Sequence, residues 1–159
     1  MNAPVAAALP ARQSRFNRFT TRWLASPLGF LSGRVVLVRY TGRVSGLHRQ
    51  LPVNAATYED GYLIRVGYPE RKRWWRNFIE PQPIELVRGG RVVIGTAVAV
   101  AGTTGRGQRI ATDYFTVHHG QAKRAGLPRM HKGELPTPEA LQAAASPLVF
   151  VVVTPRASS

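Results

Sequence analysis

The residues best equipped for chemistry lie between Arg34 and Asn54, in the stretch RVVLVRYTGRVSGLHRQLPVN. Gly42 and Gly46 bracket Arg43 and Ser45, so the backbone can bend sharply there and expose its N–H groups as a nest for an anion. Arg49 stands where a second strand leaves the turn, and its planar guanidinium can grip a phosphate or carboxylate through two parallel hydrogen bonds. His48 is placed to donate to the same anion. A plain β-hairpin with solvated arginines carries the same glycine punctuation, so the turn alone does not choose between the two readings.

A second group follows in RKRWWRNFI, from Arg71 to Ile79. On a helix, Trp74 and Trp75 point about 100° apart, which lets one enter the core while the other lines a cleft. An aromatic wall beside arginines can seat a planar, phosphorylated ring system, and it equally suits stacked bases of single-stranded nucleic acid. Familiar catalytic sets are missing. The eight carboxylates show no paired spacing, and Ser45 lies outside any nucleophile-elbow sequence. His118, His119 and His131 read as surface or loop histidines, and with no cysteine no metal site is expected. Neither a G-x-G-x-x-G run after a strand nor a P-loop occurs.

The chain has 159 residues, enough for one domain with a hydrophobic core. Its net charge of +14, from 22 Lys+Arg against 8 Asp+Glu, calls for anionic partners. The first acidic residue is Glu59, so the N-terminal third is uniformly basic. No apolar run approaches the ~18 residues that span a bilayer, so no transmembrane segment is expected. The opening MNAPVAAALPARQSR lacks the basic start of a secretory signal. A cysteine-free chain is compatible with a reducing, cytoplasmic setting.

The supporting elements follow from periodicity. Residues 1–11 read as a loose tail, 12–154 as a single domain and 155–159 as a C-terminal tail. Arg12 to Ala25 reads as a helix with Phe16, Phe19 and Trp23 on one face and Arg12, Arg15, Arg18 and Arg22 beside it. Such a helix caps a barrel or makes peripheral contact with a membrane. Strands are expected at Val35–Val38, Leu51–Tyr58, Tyr62–Val66, Ile84–Val87, Arg91–Ala101 and Leu148–Val153. Helices are expected over Arg71–Ile79, over Thr103–His118 with Ile110, Tyr114 and Val117 along one side, and from Thr137-Pro138-Glu139 to Ala145. Gly120 to Pro136 shows no periodicity and reads as a functional or mobile loop. Six strands with tight turns and interposed helices predict a mainly β, α+β fold, a small barrel.

The turn TGRVSGLHR, Thr41 to Arg49, followed by Pro52, resembles the signature of the deazaflavin-dependent nitroreductase and quinone reductase family: a strand, then T-G-R-K-[ST]-G-x-x-R and a proline. RWWRNF, Arg73 to Phe78, is similar to that family's x-W-x-x-N-L segment, and the element order agrees from about residue 12 to 154. The resemblance implies a six-stranded split β-barrel of the pyridoxamine-phosphate-oxidase, FMN-binding type with flanking helices. It further implies binding of coenzyme F420 and hydride transfer from the reduced deazaflavin to a small-molecule acceptor, a quinone, nitroaromatic or enone. By resemblance, Arg43, Ser45 and Arg49 hold the phosphate and acidic tail, and Leu51, Pro52, Val53 and Asn54 follow the deazaflavin edge. Val66, Gly67 and Tyr68 flank the ring, Trp74 and Asn77 complete the pocket, and Tyr114 lies on the acceptor side. Val44 stands where the family has lysine, which removes one positive contact and makes FMN the alternative cofactor. Outside the resemblance stand two other readings: a basic barrel for single-stranded nucleic acid, and a membrane-associated carrier of an apolar ligand.

Overall fold

The structure, a computed structural model, describes residues 35–127 and 135–157. The expected tail 1–11, the helix 12–25, His131 and the last two residues lie outside the described residues. The chain falls into two compact units. The first takes the described residues through Ile64, then Pro81–Ala97 and the chain from Val153; the second takes Arg65–Glu80 and Val98–Val152.

In the first unit, β1 (Val35–Thr41) pairs antiparallel with β2 (His48–Asn54) on one side and β5 (Gln82–Arg88) on the other. Its β-branched run suits a central strand, and Leu37 and Val38, on opposite faces, are both fully buried. Val36, Val38 and Tyr40 face one way with their β2 partners Val53, Leu51 and Arg49. The other face carries Leu37 against Val87, Arg39 between Gln50 and Glu85, and Thr41 opposite His48.

β3 (Ala56–Tyr58) and β4 (Gly61–Arg65) form a short hairpin, and β5 turns into β6 (Arg91–Ala101) through Gly89-Gly90. Both glycines have positive φ, 55° and 78°, as a type I′ turn requires. The sheet order is β2-β1-β5-β6-β7-β4-β3, where β7 is Val149–Pro155. Among the described residues, seven strands replace the expected six because the run Leu51–Tyr58 breaks at Ala55 into β2 and β3. No ladder joins β2 to β3 among the described residues, so hydrogen bonds do not close the sheet. The architecture is α+β, dominated by antiparallel sheet.

In the second unit, the expected helix Arg71–Ile79 is a shorter 3-10 helix, Trp74–Phe78. The Asn77 side chain donates to the Trp74 carbonyl at 2.7 Å, reinforcing the three-residue spacing of the tighter helix. Helix α1 (Gly105–Val117) starts at Thr104, whose hydroxyl accepts from the Gly107 N–H at 3.0 Å. Its inward stripe is Gly107, Ile110, Ala111 and Phe115. The expected stripe through Val117 is corrected, since Val117 is 72% exposed. Gly107 accounts for the rotation: a Cβ there would run into the Ala101 carbonyl, so the helix lies close over that strand end.

Part of the expected loop 120–136 is helical, as α2 (His119–Arg124). Helix α3 (Pro138–Ala145) packs against α1 and is capped as expected, with the Thr137 hydroxyl accepting from the Ala140 N–H and Glu139 in the first turn. β7 is buried from Val149 through Val153. Among the described residues, no helix is long and apolar enough to cross a membrane.

Candidate functional site

The glycine turn is tied shut by its own backbone. The Gly42 N–H donates to the Leu47 carbonyl and the Gly46 N–H to the Gly42 carbonyl, both at 2.8 Å. The Leu47 N–H donates to the Ser45 hydroxyl at 3.3 Å. Gly46 takes φ 66°, so that position calls for glycine, whereas a Cβ on Gly42 would clash only with the Ser45 hydroxyl, which can rotate away. Two amides of the expected anion nest, those of Gly42 and Gly46, are therefore engaged within the turn, as is the neighbouring Leu47 amide. What faces solvent is a ring of side chains: Arg43, Ser45, His48 and Arg49 are exposed, and Val44 is 92% exposed at the tip. Ser45 accepts one bond and still has its own proton to donate. The Thr41 hydroxyl lies 3.3 Å from His48 Nδ1.

Arg49 sits directly across from Tyr40. Burial pushes the Tyr40 phenol up from its ordinary range, and the nearby Arg49 charge partly offsets this. Tyr40 is thus a neutral hydroxyl beneath an exposed guanidinium. Alternation along β2 divides the residues expected along the deazaflavin edge. Leu51 and Val53 share the Arg49 face, whereas Pro52 and Asn54 share the other face with His48.

The second unit holds the rest of the predicted set. Val66 is buried and its N–H donates to the Val149 carbonyl at 2.9 Å. Tyr68 takes φ 54°, an uncommon conformation for a bulky residue, while its carbonyl accepts from the Arg71 and Lys72 amides at 3.0 Å each. Gly67 has Lys72 Nζ as its nearest neighbour, 3.9 Å from where a Cβ would stand. Trp74 is half-buried and meets the ring of buried Phe78 edge-on at 6.1 Å. The Trp75 indole N–H donates to the Pro69 carbonyl at 3.0 Å.

Tyr114 lies within an aromatic cluster, 5.6 Å from Phe115, 4.7 Å from His118 and 5.8 Å from Phe150. The Arg65 guanidinium stands 5.9 Å from the Tyr114 ring, which links Tyr114 to the strand end leading into Val66-Gly67-Tyr68. The sequence reading gave Arg65 no part in a site and did not connect His118 with Tyr114, although their four-residue spacing was visible. His118, expected on the surface or in a loop, is half-buried at the α1 C-terminus, and its N–H donates to the Tyr114 carbonyl at 2.8 Å.

None of the predicted residues lines the cleft of about 670 Å³ in the first unit, bounded by Thr57, Glu59, Tyr62, Val92, Ile94 and Arg156 among others. Among the described residues, no three His, Cys, Asp or Glu side chains gather as metal ligands.

No family model matches the chain. No curated protein matches it either. Among solved structures it is similar to protein Atu2129 of Agrobacterium tumefaciens, of unknown function, with 15% identity and a TM-score of 0.43. That similarity covers 92% of this chain and 61% of the other, so the chain spans about 61% of that protein's length.

Proposed function

We propose that this protein is an oxidoreductase that binds reduced coenzyme F420 and directs its hydride to a quinone, nitroaromatic or enone. The observation that carries the reading is the self-tied glycine turn presenting Arg43, Ser45 and Arg49 together to solvent. Two guanidinium groups and a hydroxyl form a donor set that fits a phosphate followed by carboxylates. Because the turn holds its shape through its own hydrogen bonds, little ordering is needed when an anion arrives. Tyr40, paired across from Arg49, is a neutral phenol that leaves the guanidinium charge uncancelled.

When bound, the deazaflavin supplies the two-electron chemistry. The chain's share is orientation: β2 offers Leu51 and Val53 on the face that carries Arg49. A split barrel suits the same reading, since β2 and β3, the two ends of the sheet order, are consecutive in the chain and separated by Ala55 alone. With Val44 in place of a cation, FMN is the alternative ligand, its single phosphate needing fewer positive contacts.

A fluorescence titration with the deazaflavin tests this. Micromolar binding is expected, weakened about fivefold or more by Arg49→Ala, given the modest worth of exposed charge pairs. Equal affinity in the variant would remove Arg49 from the site, and tighter binding of FMN than of deazaflavin would change the cofactor.

A further inference from the structure

The segment from Tyr68 to Glu80 carries four exposed cations, Arg71, Lys72, Arg73 and Arg76, against the exposed carboxylates of Glu70 and Glu80. Two large side chains protrude from the same short segment, Tyr68 at 68% and Ile79 at 49% exposure. Protrusion of Tyr68 is built into the backbone: its left-handed conformation is held by the two amides that donate to its carbonyl. The guanidinium groups of Arg71 and Arg76 lie over the rings of Tyr68 and Trp75, at 5.8 and 5.7 Å. Each such pair places an apolar body beside a charged tip, the combination favoured at a membrane–water boundary.

We propose that this turn and 3-10 helix form a docking surface for an anionic phospholipid bilayer, the four cations meeting headgroups while Tyr68 and Ile79 enter at headgroup depth. Charge complementarity selects the anionic surface, since basic side chains near such a membrane each strengthen attachment. The aromatic geometry favours lipid over nucleic acid. Base stacking needs open ring faces. Here Trp74 and Trp75 are half-buried, Trp75 and Tyr68 are each partly covered by a guanidinium, and Trp74 meets Phe78 edge-on. The inference is independent of hydride transfer.

Flotation of the full chain with vesicles of phosphatidylcholine, with and without phosphatidylserine, tests it. Binding is expected only with phosphatidylserine. Lys72→Gln with Arg73→Gln, both exposed, should lower partitioning by about thirtyfold, taking the usual contribution of two interfacial charges. Tyr68→Asn, which tolerates the same backbone conformation, should weaken binding without altering charge. The proposal is overturned if the wild type shows no preference for phosphatidylserine, or if the double variant binds as the wild type does, which would assign attachment to other basic residues. It is equally overturned if the double variant loses binding to a single-stranded oligonucleotide while keeping its vesicle binding.

Discussion

Replacing Val44 by lysine would restore the cation that the resembling family places in this turn, and the structure sets how much that should matter. Val44 is 92% exposed between Arg43 and Ser45, so a lysine there meets no steric obstacle and its ammonium stays in water. A sheltered, charge-assisted hydrogen bond would contribute about 1.5–3 kcal/mol. An exposed pair in high dielectric is worth roughly 0.2–1 kcal/mol, and the exposure of Val44 selects this lower range. The deazaflavin should therefore bind up to about fivefold more tightly to Val44→Lys. Fluorescence titrations at low and high ionic strength provide the assay, with Val44→Met as a control for side-chain length. The gain should shrink at high salt, where the Debye length falls to about 3 Å at 1 M. An unchanged affinity at low salt, a gain that survives high salt, or an equal gain in Val44→Met would refute an anionic tail lying over this turn.

Three further outcomes follow from the geometry. Tyr40 should ionise above the ordinary tyrosine range, read as the difference between wild type and Tyr40→Phe in a phenolate absorbance titration. Its raised folded-state pKa gives a stabilising contribution that is full below the ordinary value of 10.0 and lost as pH rises through the folded value; Tyr40→Phe should abolish this alkaline loss, and an unchanged loss in that variant would contradict it. Gly107→Ala gains about 1 kcal/mol of helix propensity but drives a Cβ into the Ala101 carbonyl, an overpacking cost of ~1–3 kcal/mol or more, so the urea midpoint should fall. Leu51→Ala should weaken deazaflavin binding more than Asn54→Ala, because only Leu51 shares the Arg49 face of β2; the reverse order in a titration would place the ring on the other face.

Much of the fold was legible because β-branched runs and helix caps are local signals. Val35–Val38, the diglycine hairpin and the Thr137 cap all behave as their residue types require. Ala55 shows the limit: alanine carries no breaking chemistry, and what divides β2 from β3 is a change of partner, with β2 pairing to β1 and β3 to β4. The α1 stripe failed at Val117 for a related reason. Its inward face begins at Gly107, which no hydrophobic pattern registers, and the contact that makes glycine necessary there comes from the Ala101 carbonyl, outside the helix. The short α2, six residues ending in Lys123 and Arg124, offers too little periodicity to detect.

The candidate site divides along the same line. Gly42, Gly46 and Arg49 identified a bend built around arginine, but sequence spacing could not reveal that Gly42 and Leu47 would close on each other at 2.8 Å. That closure changes the chemistry expected of the turn. A full backbone nest would bind an anion whatever side chains it carried, whereas a turn that engages its Gly42, Gly46 and Leu47 amides internally leans more on Arg43, Ser45, Arg49 and the residue at position 44. Affinity for an anionic tail then becomes sensitive to single side chains and to salt. On the proposed deazaflavin reading, valine in place of lysine at position 44 removes a contact to the tail and favours ligands with fewer negative charges.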